Sequence, residues 1–338
     1  MFKNNKKLSS SLVLMLGILV STSSHAINYA IKNLGTLGGA FSSATAINNQ
    51  GVVVGYSENA DTRNVSFIYE NNAMTALGNM PDTTFNLAYD INDSNTIVGS
   101  SSVPYIYQNG AVETINLKGR ATHINNNNQT IGFILPSTSS TEPGYGFLYE
   151  AGNLINFRTL LNSSYATVSG INDKGEVIVN ADTNTYMYHN GTFKLLSISG
   201  GVTDITNTSE MLCYVTGADG KYDICKYSNG IQQIIGDFNN LSTVAYSINE
   251  KGYAVGKAIF ETVSTTPFPP TTEPTSTAIL MMPDGTIIDL NTLKMGGSGF
   301  DTLVSASDIN DQGQIVGTGL VNGVPHAFLL TPRGNWYQ

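Results

Sequence analysis

A ten-residue phrase recurs seven times along this 338-residue chain, and no other feature restricts its fold as severely. The copies read AINNQGVVVG from residue 46, DINDSNTIVG from 90, HINNNNQTIG from 123, GINDKGEVIV from 170, DITNTSEMLC from 204, SINEKGYAVG from 247 and DINDQGQIVG from 308. Between Asn48, Asn92, Asn125, Asn172, Thr206, Asn249 and Asn310 the spacings are 44, 33, 47, 34, 43 and 61 residues, the size of one supersecondary unit. A second phrase alternates with the first, from SFIYENNAM at 66 through PYIYQNGAV at 104 to AFLLTPRGN at 327, and it too occurs seven times. Each unit therefore reads as four short strands: the run into Ile-Asn, the Val/Ile run after the turn, the aromatic run, and a run after a second turn. No amphipathic helix of useful length lies between them.

The turns have a local cause. Three residues after the Asn stands one that tolerates positive φ: Gly51, Asn95, Asn128, Gly175, Gly252 and Gly313. Together with Asn48, Asn92, Asn125, Asn172, Asn249 and Asn310 these predict a type I turn closed by a bulge. The fifth copy has Thr206 and Ser209 at these places and is expected to be the least regular. The second turn reads Asn109-Gly110, Asn190-Gly191, Asn229-Gly230 and Asp284-Gly285, a hairpin signal.

Seven four-stranded units predict an all-β fold, a seven-bladed β-propeller of antiparallel blades. YAIKNLG at 29–35 resembles a fourth strand without its unit, and the seventh unit ends soon after its third strand with NWYQ. The two fragments make one blade, so the N-terminal strand is expected to close the last blade and remove an open edge. A membrane β-barrel is disfavoured, because a spanning strand needs ~9 to 11 residues and these runs are about half that.

Residues 1–26 have the form of an export signal: Lys3, Lys6 and Lys7 precede the apolar run Leu12 to Val20, and Ser24-His25-Ala26 supplies a small-residue cleavage site. The propeller would then occupy 27–338, secreted or periplasmic, with no membrane span. Processing removes three lysines and no acid from a formal net charge of −9, leaving −12, a sign that disfavours nucleic acid as a partner. Charged residues make up 12% of the chain, against ~25% in ordinary globular proteins, while 41% hydrophobic residues suffice for a core. Cys213 and Cys225 are the only cysteines, and export favours a disulfide between them. Counting back from a three-residue turn at Ala218-Asp219-Gly220 puts them opposite each other on one face.

LGTLGG at 34–39, AINNQGVVVGYS at 46–57 and HAFLL at 326–330 resemble the HAF family of bacterial extracellular repeat proteins. The resemblance implies export and a propeller-like fold. It brings no catalytic residue, cofactor or ligand.

No GxSxG or HExxH motif occurs, and LGTLGG lacks the Lys and helix of a phosphate loop. His123, His189 and His326 lie in three different units, and His326 reads as the opening of a strand. Asp90, Asp204 and Asp308 share one repeat position, and Asp93, Asp173 and Asp311 another. Such rings of acids could bind Ca²⁺. Capping of local backbone N–H groups is preferred, for the acids and for the repeated Asn alike, and no cofactor is assigned. The variable links PSTSSTEPGY (136–145), TVSTTPFPPTTEPTST (262–277) and KMGGSGFD (294–301) all belong to the end of the units opposite the two short turns. A binding or adhesion module that offers this end to an extracellular protein or glycan is preferred. The alternative is an enzyme, a glycan lyase or hydrolase with acids near the central channel.

Overall fold

The computed structural model describes residues 28–78, 80, 85–136, 143–260, 275–293 and 299–334. The export signal, the terminal NWYQ and most of the three variable links lie outside these residues. Each of the first six repeats delivers four strands that pair antiparallel in chain order. In unit one they are Gly38–Ile47, Val53–Asn59, Asn64–Glu70 and Ala73–Ala76. Units two to six occupy 87–114, 119–156, 166–196, 201–236 and 242–289. Unit seven contributes Thr302–Ile309, Ile315–Val321 and Val324–Arg333, and takes its fourth strand, Asn28–Asn33, from the other end of the chain. That strand runs antiparallel to its neighbour, from Asn28 opposite Arg333 to Asn33 opposite Phe328. His326 is thus the third residue of its strand and not the first.

The described strands form six sheets, five of four strands and one of eight. The large one joins units three and four through a single parallel bridge, Tyr145 to Ala166. Two short helical turns, Phe157–Leu161 and Leu290–Thr292, sit in links between units. Among the described residues no helix is long and apolar enough to cross a membrane.

Apolar burial is organised between units. Seven core clusters occur, and each takes its residues from two successive units: Val54 of unit one with Ile97 and Tyr105 of unit two, for example, or Ile178 of unit four with Val202 and Met211 of unit five. The last cluster joins Val316 and Ala327 of unit seven to Val53 and Phe67 of unit one. First strands follow the same cycle, each packing on that of the next unit and the seventh on the first.

In the first turn Asn48 Oδ1 accepts from the backbone N–H groups of Gln50 and Val52, both at 3.0 Å, so one side chain satisfies two donors that the turn strands from the ladder. Positive φ follows at Gly51 (79°), Asn95 (59°), Asn128 (60°), Gly175 (75°), Gly252 (82°) and Gly313 (74°). At the turn of the fifth copy the geometry is regular, since Ser209 takes φ 64° and Thr206 makes the same backbone bonds; the irregularity of this unit lies instead in a register shift between Ile224 and Cys225 against its fourth strand. Asp284-Gly285 also departs from expectation. Asn109, Asn190 and Asn229 have positive φ, as a two-residue hairpin turn requires, whereas Asp284 does not. Pro283 locks its own φ near ~−65°, which that turn cannot use, so the hairpin widens to bonds from Met282 N–H to Thr286 and from Gly285 N–H to Met282.

Two devices recur inside the strands. The pairing of first and second strands slips by one residue at the same place in all seven units, between Ala44 and Ala46, Ala88 and Asp90, Ala121 and His123, and so on to Ala306 and Asp308. Beside this bulge a second-strand glycine faces a large third-strand side chain: Gly55 with Phe67, Gly99 with Tyr105, Gly132 with Phe147, Gly317 with Phe328. A Cβ on Gly55 would stand 2.1 Å from the Ser43 carbonyl oxygen, so any larger residue must push the strands apart. In unit five the same pair of positions is Cys213 and Cys225. They lie directly opposite, Cα atoms 4.8 Å apart, and are joined in a disulfide.

Candidate functional site

The seven Ile-Asn turns meet at one end of the units and form the mouth of a cavity of about 200 Å³. Two hydrogen-bonded rings build this mouth. In the inner ring each Asn donates its Nδ2 to the backbone carbonyl of the corresponding residue in the next unit: Asn48 to Asn92, Asn92 to Asn125, Asn125 to Asn172, Asn172 to Thr206, Asn249 to Asn310 and Asn310 back to Asn48. The step from unit five to unit six lacks this bond because Thr206 has no amide to give. The outer ring is complete. The backbone N–H of each following residue donates to the side chain of its counterpart one unit on, in the order Asn49, Asp93, Asn126, Asp173, Asn207, Glu250, Asp311 and again Asn49, every bond 2.7 to 3.0 Å. The repeated Asn is thus a local cap, as expected, and also a tie between units, whereas Asp93, Asp173 and Asp311 take the backbone N–H of the preceding unit in place of a local one; the sequence reading missed these ties.

Below the mouth lies a second cavity of about 170 Å³, and Ile171, Asp204, Ser247 and Asp308 line both. Its walls come from the bulges. The extra residue of a bulge re-aims its side chain, and the bulged residues Thr45, Tyr89, Thr122, Tyr246 and Ser307 line this chamber. The next residues along, Asp90, His123, Ser247 and Asp308, complete it together with Asp204. Each acid bridges two units. Asp90 accepts from the N–H groups of Ile91 and Ile124, Asp204 from those of Ile205 and Ile248, and Asp308 from those of Ile309 and Ile47, at 2.8 to 2.9 Å; Ser247 Oγ adds a bond to Asp308 at 2.6 Å.

Enclosure in protein outweighs these bonds. Burial, with the Asp308 charge next, pushes the Asp90 carboxyl up to about 8, and burial pushes Asp204 up to about 7 and raises Asp308. The same burial holds His123 down at about 4, so its imidazole is neutral at physiological pH. Its Nδ1 meets Thr122 Oγ1 at 3.0 Å. The three histidines do not converge: His189 ends its strand on the surface beside Asn190, and His326 lies in unit seven. Among the described residues no three His, Cys, Asp or Glu side chains come together to hold a metal ion, so the acid rings form no Ca²⁺ cage there.

The opposite end is chemically different. Of ten large apolar side chains exposed among the described residues, seven sit there, at the links from second to third strand or from one unit to the next: Phe85, Leu117, Leu135, Leu160, Tyr165, Tyr222 and Phe260. The other three, Leu195, Ile231 and Ile234, are on the fourth strands of units four and five.

No family model matches the chain, and no curated protein matches it either. Solved structures do. The β-propeller domain of the Trilobed protease from Pyrococcus furiosus is similar over 88% of this chain and 96% of that one, with a TM-score of 0.55 and 12% identity. An acylaminoacyl peptidase from Pyrococcus horikoshii is similar over 87% of this chain with a TM-score of 0.53 and 10% identity. This chain spans about half, 52%, of that peptidase. At such identities the likeness concerns the fold alone: the chain has a β-propeller-like, all-β fold.

Proposed function

We propose that the chain is an exported binding module of the HAF repeat kind, a seven-bladed propeller closed by the strand Asn28–Asn33, which presents its loop-bearing end to an extracellular protein or glycan. Support for seven blades comes from the seven inter-unit cores and from the outer hydrogen-bonded ring, which returns to Asn49 after seven steps. One observation carries the binding role: exposed aromatic and aliphatic side chains gather at the end where the units' variable links emerge. Aromatic anchors of this kind are what recognition surfaces use. An enzyme with acids at the axis is less well supported, because Asp90, Asp204 and Asp308 already serve as ties, each accepting backbone N–H groups from two units.

The test is a glycan and protein array probed with the exported protein, followed by Tyr165→Ala and Phe260→Ala against any hit. Each variant should keep its Tm and lose binding at least tenfold. Unchanged binding in both would move the recognition surface elsewhere. N-terminal sequencing of the exported protein should begin at Ile27.

A further inference from the structure

The chamber under the Asn ring has features that its structural bonds do not use. Each carboxylate oxygen of Asp90 and Asp204, and Oδ2 of Asp308, accepts one backbone N–H and keeps a second lone pair, while Asp308 Oδ1 accepts from both Ile309 N–H and Ser247 Oγ. His123 is partly buried and lines the chamber, and while its Nδ1 meets Thr122, its Nε2 has no partner among the described residues. The hydroxyls of Tyr89, Tyr246 and Ser307, all at bulge positions, are likewise without a partner. Seven units could have closed on an apolar axis, as their inter-unit cores do. Here three carboxylates, an imidazole and three hydroxyls face a common space of about 170 Å³.

We propose that this chamber binds a small linear organic cation, an amine or a guanidine, which enters through the mouth formed by the seven turns. Three considerations select this class. The acids do not converge on a point, so a bare metal ion would lack its ligands, whereas a cation with several N–H donors spread along a chain reaches separate acceptors. Asp93, Asp173, Glu250 and Asp311 ring the mouth and concentrate cations at the entrance. The neutral imidazole of His123 offers an acceptor and adds no repelling charge.

The charge balance gives the site a signature. Empty, the chamber keeps its acids partly protonated at neutral pH, because burial makes three adjacent anions costly. Other ionisable groups near them are His123, Tyr89 and Tyr246 within the chamber, Glu250 toward the mouth, Arg120 near Tyr89, and Lys257 5.9 Å from the centre of the Tyr246 ring. A cation entering this space stabilises the carboxylates, so a proton leaves as it binds.

Agmatine and putrescine are suitable probes, titrated calorimetrically into the full exported protein at pH 6 and pH 8.5, in buffers of different ionisation enthalpy. Agmatine should bind with proton release and at least tenfold more tightly at pH 8.5. Aspartate variants also cut ties between units, so the mapping uses Tyr246→Phe and Ser307→Ala, which leave those ties intact. Together they should weaken agmatine at least tenfold with Tm unchanged, while Tyr165→Ala at the opposite end leaves it alone. The proposal is overturned if calcium or glucose binds and both amines do not, if the protein takes up protons on binding, or if agmatine binds the Tyr246→Phe, Ser307→Ala double variant as it binds the parent.

Discussion

Asn92 shows how much one side chain does in this molecule. Its Oδ1 accepts from Ser94 and Thr96, which shapes its own turn, and its Nδ2 donates to Asn125, which holds the next unit. The first task was legible, because Asn at a turn start has a local use. The second depends on how the units curve past one another, which no local pattern encodes. Asn95 and Asn128 carry the same local logic. Replacing either with Val puts a β-branched residue at φ near 60° and should cost about 1 kcal/mol or more, read from denaturant midpoints at constant slope. The bulge residues are a case of a signal present but unread: Thr45, Tyr89, Thr122, Ser169, Thr203, Tyr246 and Ser307 give every copy a hydroxyl three places before the Ile-Asn turn residue. Strict alternation along a strand assigns that position a face, and the one-residue slip then brings five of the seven, all but Ser169 and Thr203, to the chamber wall. The buried acids predict a pH dependence. Their folded pKa values lie above the unfolded ~4, so the stability they add is complete below that pH and is lost as pH rises through about 7 to 8. His123 works in the other direction, since its folded pKa is depressed, and costs stability only as pH falls below ~6.5. Between pH 6.5 and 8.5 the acids act alone, and Tm should fall as pH rises; a flat or rising Tm there would show that the carboxylates are already ionised.

Among the elements, unit five differs from units one, two, three and seven at a further pair of positions, as unit four does with Val179 and unit six with Ile279. Where Gly55, Gly99, Gly132 and Gly317 lie beside an aromatic ring, unit five has Cys213 beside Cys225. The opposition of the two cysteines could be counted from the Ala218-Asp219-Gly220 turn, whose bonds run from Gly217 to Lys221 as the count requires. Their equivalence to a glycine and an aromatic emerges only when the registers of all units are compared. Thiol titration of the unfolded, unreduced protein should find no free cysteine. Reduction should lower stability by about 2 to 3 kcal/mol, the chain-entropy value for a loop this short. Cys213→Gly with Cys225→Phe restores the pairing of units one, three and seven, and should recover more stability than Cys213→Gly alone. Loss of both gains would mean that the strands of unit five are spaced for the disulfide only.

For the molecule as a whole, the repeats made the architecture readable and the axis unreadable. Strand count, turn positions and the placement of Asn28–Asn33 beside the last unit follow from the order of the phrases. The chamber does not, because its residues come from all seven repeats and meet only where the units come together. Deleting residues 28–33 leaves the strand Val324–Arg333 with a bare edge, and such edges recruit other strands. The shortened chain should have a lower Tm and self-associate in sedimentation experiments, and a peptide of residues 27–35 should reverse both. Pairing of Asn28–Asn33 with Val324–Arg333 also has a meaning in time. Asn28–Asn33 is synthesised before Val324–Arg333 and has no partner until that strand is made, so a chain cut short between them keeps a loose strand and an open seam. Such fragments expose extended backbone of the kind proteases cleave, so resistance to proteolysis reports that both strands are present and paired.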